Sequence, residues 1–247
     1  MKNLIFIITL LLLSSCQNKK KDDDILVPAI ESYREGLEKF NKADYKEAAD
    51  SFGKVYFQHP GGEITPYAEL MEAYSLFKAG MYNDSIDVIN NFMAIHPLHD
   101  DIAYAYYLKA MCYYMQISDV HHDQSITENA KTAFLDVINR FSGTIYAKES
   151  YAKIDLVKDH LAGKEMEIGR YYQNRYNPIG AINRFETVIK EFSTTSHTPE
   201  ALFRIVEAYV MLGLNSEAEK YAAVLAYNYP QSNWLEYAKK LLKVKEK

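Results

Sequence analysis

The stretch from Ala43 to Pro60, ADYKEAADSFGKVYFQHP, places Tyr45, Ala48, Phe52 and Val55 three and four residues apart. Those steps put the side chains on one face of an α-helix. The pattern returns in GMYNDSIDVINNFMAIHP, ending at Pro97, with Tyr82, Ser85, Ile89 and Phe92 in the matching places. Each stretch ends in a proline, which cannot continue a helix and so marks a turn. A second amphipathic helix lies upstream of each, with Gly36 and Ala73 where the paired helices cross. The chain therefore predicts a helix pair, repeated.

This unit resembles the tetratricopeptide repeat, a helix-turn-helix of about 34 residues. Five copies are expected. The third runs from about Asp101 to Phe141, with Ala110, Ala130, Phe134 and Val137 in the key places and an insertion around SDVHHDQS between its helices. The fourth uses Gly169, Tyr172, Ala181, Phe185 and Val188; the fifth uses Leu202, Tyr209, Ala218, Leu225 and Pro230, with Leu212-Gly213-Leu214 at its turn. Tyr146 to Leu161 reads as an extra or lengthened helix before the fourth repeat. After Pro230, the apolar side Trp234, Tyr237, Leu241 and Leu242 predicts a capping helix, which a repeat array needs to cover its last apolar face. The expected fold is all-α: an α-solenoid of about five helix pairs with a C-terminal cap. Residues 29–141 hold repeats one to three, and residues 142–247 hold the linking helix, repeats four and five and the cap.

The N-terminus breaks this pattern. Lys2 precedes a short apolar core, Leu4 to Leu13, about half of the roughly 20 residues that span a bilayer. It reads as a secretory signal over residues 1–15. Leu13-Ser14-Ser15-Cys16 resembles the bacterial lipoprotein box, which implies cleavage before Cys16 and a covalent lipid on its thiol. Residues 16–28 are then a polar, lipidated tether.

Charge and composition narrow the function. The net charge is −5, and −6 once Lys2 leaves with the signal, so nothing electrostatic favours nucleic acid. With Cys16 acylated, Cys112 is the remaining thiol; it cannot form an internal disulfide and reads as a buried small hydrophobe. Gly-rich phosphate loops, nucleophile elbows and HExxH motifs are missing from the sequence. His121-His122-Asp123 invites a metal reading, but adjacent histidines diverge and no third helix-spaced ligand accompanies them. His59 and His96 precede the repeat-ending prolines and read as packing residues. No catalytic residue, metal or cofactor is expected.

Binding is the better prospect. In tetratricopeptide arrays the first helix of each pair lines an inner groove. The corresponding residues here are Ile30, Tyr33, Leu37 and Phe40, then Tyr67, Leu70, Tyr74 and Phe77, then Tyr104, Tyr107, Met111 and Tyr114. In the fourth repeat they become Gly163, Met166, Arg170 and Gln173, read as a polar surface. Tyrosine suits a groove because its ring is apolar while its hydroxyl stays wet. The expected ligand is an extended, aromatic-bearing peptide. The alternative for several of these rings is packing between neighbouring helices.

Three longer segments carry a more specific likeness: ISDVHHDQSITENAKTAFLDVINRF, KEMEIGRYYQNRYNPIGAINRFETVIKEF and EAYVMLGLNSEAEKYAAVLAYNYPQSNWLEYA. With the lipobox and five repeats, they resemble the BamD family, lipoproteins of the outer-membrane β-barrel assembly machinery. Pro178 departs from that family's usual aromatic. The resemblance implies a non-enzymatic scaffold on the periplasmic face of the outer membrane, lipid-anchored. It implies docking of a BamA-like barrel protein, with Arg184 first, then Arg175 and Arg170, as contacts. Other assembly lipoproteins and unfolded β-barrel clients are the further partners implied. Gln17, in place of the aspartate that often retains lipoproteins at the inner membrane, agrees with that location. The alternative is a tetratricopeptide adaptor lipoprotein of envelope division or peptidoglycan coordination.

Overall fold

A computed structural model describes residues 27–119 and 122–245. Among the described residues there are eleven α-helices and no strand. They run α1 Ala29–Asn41, α2 Tyr45–Gln58, α3 Thr65–Lys78, α4 Tyr82–Ile95, α5 Ile102–Tyr114, α6 Ser125–Arg140, α7 Ile145–Asn174, α8 Pro178–Glu191, α9 Thr198–Met211, α10 Asn215–Asn228 and α11 Asn233–Lys245. Consecutive helices pair, and each pair packs on the next, giving an all-α solenoid of five repeats and a cap. None of these helices is long and apolar enough to cross a membrane.

The repeat signature sets the packing. Ala48, Ser85, Ala130, Ala181 and Ala218 are fully buried on the second helices, as are Phe52, Ile89, Phe134 and Phe185 four residues on in the first four repeats and Leu225 seven residues on in the fifth. In repeats one and four a glycine faces the phenylalanine. A Cβ on Gly36 would lie 2.7 Å from Phe52, and one on Gly169 only 2.3 Å from Phe185. Where the partner is the smaller Ile89, the crossing residue is Ala73.

The turn inside four of the repeats has one backbone solution. Ala43, Gly80, Tyr176 and Gly213 all have positive φ, at 64°, 77°, 57° and 76°. Each is followed by an N–H that reaches back to the preceding helix: Asp44 to Lys39 O, Met81 to Leu76 O, Asn177 to Tyr172 O and Leu214 to Tyr209 O, at 2.9–3.0 Å. This satisfies carbonyls that a helix end leaves open. Two glycines make the turn at no steric cost, whereas Ala43 and Tyr176 hold it against about 1–2 kcal/mol each. Pro178 sits at the first position of α8, where a missing N–H costs nothing, and the Asn177 side chain caps that helix by accepting from Gly180 N at 3.0 Å. The departure from the family pattern is thus absorbed as a helix start.

Of the two readings of Tyr146 to Leu161, an extra or a lengthened helix, the structure has the lengthened one: it runs on into the first helix of repeat four as one element, α7, whose Ile154, Val157 and Leu161 pack with Phe134 and Ile138. The cap differs in detail from its expected apolar side. The cap α11 buries Leu235 and Ala238; Trp234, Leu241 and Leu242 are only partly buried at its edges and Tyr237 is half-exposed. Close helix approach favours the smaller side chains, and the rings spread over the margin, with Trp234 stacked 5.4 Å from Phe203.

Cys112 is buried and donates to Ser85 Oγ at 3.3 Å, and burial pushes its thiol up to about 11. His96 Nε2 lies 2.9 Å from buried Glu69, and His59 Nε2 lies 2.7 Å from Val27 O, so both histidines tie repeat ends into the fold. Asp123 accepts from Ser125 N and Oγ at the start of α6. His122 is exposed; His121 lies outside the described residues.

Candidate functional site: an aromatic groove and an arginine-bearing turn

The first helices of repeats one to three and the first turn of α7 form one row. Tyr33 of α1, Tyr67 and Tyr74 of α3 and Tyr104 of α5 line an open cavity of about 260 Å³ with Leu70, Met71, Asp101 and Tyr146. The rings touch in sequence: Tyr74 and Tyr104 are 6.4 Å apart, Tyr104 and Tyr146 5.6 Å, Tyr146 and Tyr107 5.5 Å. Burial, and then the neighbouring phenols, push the Tyr104 hydroxyl far up. Burial, followed by the negative charges of Asp101 and Glu149, raises Tyr146 as well. Tyr104 and Tyr146 therefore face the groove as protonated phenols.

The other expected groove residues are placed differently. Phe40 packs on Tyr45 and Tyr74, at 5.2 and 5.5 Å, and Phe77 packs on Tyr82 at 5.7 Å, so both serve the crossing of paired helices at the groove margin. Tyr107 joins the row through Tyr146 but also leans on buried Phe134. Tyr114 does not line this cavity. It packs on Phe134 under Lys153 Nζ, 4.6 Å from the ring, and faces a separate pocket with Leu156 and His160. Gly163 and Met166, expected at the surface, are buried, because the second half of α7 turns that face onto α8.

The arginines also divide. Arg184 on α8 pairs with Glu165 on α7 at 3.2 Å, and not with Glu186, which binds Lys190 and the Tyr221 hydroxyl. Arg184 borders a cavity of about 320 Å³ with Tyr172, Asn177, Asn183 and Thr187. Arg175 lies over the Tyr171 ring at 5.2 Å, in the same α7–α8 turn, beside Tyr176, which is 86% exposed. Arg170 belongs to a different group. It bonds Glu200 at 3.2 Å; Glu200 also takes Arg204, and Arg204 and Gln173 share Glu207. Arg170 thus ties α7 to α9, while Arg175 and Arg184 share the turn. Cys16 lies outside the described residues.

The family model described as YfiO, outer membrane lipoprotein, matches residues 27–225. A protein of Rickettsia prowazekii (strain Madrid E), named outer membrane protein assembly factor BamD, is 57% identical over 220 residues, covering 89% of this chain and 88% of its own. The chain belongs to the BamD family. A second BamD, from Caulobacter vibrioides, is 44% identical over 85% of this chain and 69% of its own length. Among solved structures, the TPR2AB domain of yeast Sti1 aligns over 88% of this chain and 84% of its own, at 12% identity and a TM-score of 0.46.

In this BamD-family chain, Tyr146, Met71 and Asp101 line the groove without having been singled out from the sequence. A signal for Tyr146 exists. Thr65 precedes Tyr67 by two residues, as Thr144 precedes Tyr146. Both threonine hydroxyls donate to the carbonyl that closes the preceding repeat, His59 O at 2.7 Å and Phe141 O at 2.8 Å. The same spacing thus delivers a tyrosine to the first turn of α3 and of α7.

Proposed function

We propose that this protein is an outer membrane protein assembly factor that acts as a scaffold and not as an enzyme. One observation carries the reading: the likeness to a named BamD extends over 89% of the chain at 57% identity. The finer parts of the proposal follow from its residues. A covalent lipid on Cys16 anchors the chain at the periplasmic face of the outer membrane, with no other cofactor. The aromatic groove of repeats one to three takes an extended segment of an unfolded β-barrel client. The α7–α8 turn docks a BamA-like barrel protein alongside other assembly lipoproteins. Exposed Tyr171, Tyr176 and Ile179 supply apolar contact there, next to the guanidinium groups of Arg175 and Arg184. Aromatic and arginine side chains are the usual anchors of protein interfaces. Tyr176 is held exposed in the left-handed region, where repeat one has the small Ala43 and repeats two and five have glycine, so this turn alone sets a large ring out in solvent.

The test is co-purification. A C-terminal tag on the mature chain, after gentle solubilisation of envelopes, is expected to recover a BamA-like barrel protein. Arg184→Glu is expected to lose it, whereas Glu165→Gln, which frees Arg184 from its internal partner, keeps it. Full recovery with Arg184→Glu would sink the docking role. Recovery of division or cell-wall proteins in place of the barrel protein would sink the assembly role.

A further inference from the structure

Asp101 stands at the N-cap of α5, a position where aspartate normally binds the first free N–H groups of the helix. Its side chain makes no such bond. It lines the tyrosine cavity instead. The nearest cationic candidate is His99, with Nδ1 3.8 Å from the Asp101 carboxylate. That same Nδ1 accepts the Asp101 backbone N–H at 3.1 Å, a role open only to a ring nitrogen without its own proton. His99 therefore does not neutralise Asp101, and among the described residues no lysine or arginine pairs with it. The cavity lining contains no lysine or arginine either. A second carboxylate, Glu149, adds negative potential at Tyr107 and Tyr146.

Phenol rings around an unneutralised carboxylate form a site of one charge preference. The ring faces carry the negative part of their quadrupole, and a cation over them is attracted, more so where water is displaced. The volume, about 260 Å³, is below the roughly 300–1,000 Å³ of a small-molecule pocket and suits one long side chain. The same helices already seat ammonium groups on rings outside the cavity, Lys78 over Tyr45 and Lys153 over Tyr114.

We propose that the cavity of Tyr33, Tyr67, Tyr74, Tyr104 and Tyr146 receives a single arginine or lysine side chain of the bound client segment, with Asp101 as its counter-charge. This rests on the proposed client groove and adds a charge requirement to it. The client's terminal carboxylate finds no cation in this cavity, so it lies elsewhere along the row.

The experiment uses the mature chain and two synthetic peptides. Both are extended and end in phenylalanine; one carries a single internal arginine, the other citrulline, which is nearly isosteric and neutral. The citrulline peptide is expected to bind the wild type about tenfold more weakly, the size of a cation–π contact on half-exposed rings reinforced by the Asp101 charge. On Asp101→Asn the discrimination is expected to fall to the roughly two- to fivefold that the rings alone supply, while the exposed neighbour variant Asp100→Asn keeps it in full. Equal binding of both peptides to the wild type, lost together in Tyr67→Ala/Tyr104→Ala, overturns the cation site and leaves the groove. Failure of both peptides to bind overturns the cation site and the groove together. The wild-type comparison is decisive by itself, so the outcome does not depend on whether a variant folds.

Discussion

Glu72 sits on α3 with Glu69 and Asp50 nearby. A side chain on Gly53 would come within 3.0 Å of its carboxylate. Burial first, then the charges of Glu69 and Asp50, push its carboxyl up to about 7. Burial raises Glu69 too, against the opposing pull of His96. A carboxyl whose folded value is raised binds more protons folded than unfolded in the window between its ordinary value and the raised one. Stability therefore falls as pH rises from about 4.5 to about 7. Glu72→Gln is expected to flatten that slope, read as a smaller difference between urea midpoints at about pH 5 and about pH 8. An unchanged slope would assign the effect elsewhere. Gly169 gives a second prediction at this scale. Its missing Cβ would meet the Phe185 ring at 2.3 Å, and that ring is fully buried with nowhere to retreat. Gly169→Ala is expected to cost about 2–3 kcal/mol by urea unfolding, the upper part of the overpacking range. Legibility at residue scale followed the same logic. Glycine marked the turn at Gly213 and stands at the matching Gly80, but nothing in an alanine or a tyrosine announces a left-handed residue at Ala43 or Tyr176. Asp101 was hidden for a related reason: a cap residue looks the same in sequence whether or not its side chain caps.

At the scale of elements, the second helices of the repeats were the most readable. Small and large apolar residues at fixed spacing, closed by a histidine or aromatic, have one packing solution, and the buried Ala48–Phe52 and Ala181–Phe185 pairs realise it. The choice between an extra and a lengthened helix before repeat four stayed open in the sequence: the chain from Tyr146 to Asn174 has no proline to break it, but its two halves carry two successive packing duties, which alone could belong to one helix or two. Tyr146 entered the groove through that helix. The capping helix shows a third case. Size drew attention to Trp234 and Tyr237, yet Leu235, 5% exposed, and Ala238 make the closest approach to repeat five. Leu235→Ala is expected to destabilise by about 2–4 kcal/mol, the transfer and cavity loss of a buried leucine. Because each repeat contacts only its neighbours, hydrogen exchange should quicken in α9 to α11 and stay unchanged in α1 to α4. Uniform quickening along the chain would show that the array unfolds as one unit.

For the whole molecule, the question is whether the proposed client binding at one end reports to the proposed docking at the other. Both regions lean on α7. Tyr146 in its first turn walls the groove, and Glu165 holds Arg184. Nineteen residues separate them, about 28 Å at the helical rise of 1.5 Å per residue. A shared helix is a mechanical link but not a switch. Coupling requires two arrangements that each ligand biases differently. The packing of α7 gives one: Ile154, Val157 and Leu161 are locked against repeat three, and Gly169 is locked against Phe185 with no slack for rotation or sliding. A stiff element with a single seating passes no free energy from end to end. The two functions are therefore expected to be separable. Tyr104→Ala should weaken peptide binding by the same factor, within about twofold, whether or not Arg184→Glu is also present, the limit for distant independent sites. The complementary measurement, recovery of the barrel protein, should respond to Arg184→Glu and not to Tyr104→Ala. A larger interaction between the two substitutions would mean that α7 has a second seating, and the tight contacts at Gly169 would be the first place to look for it.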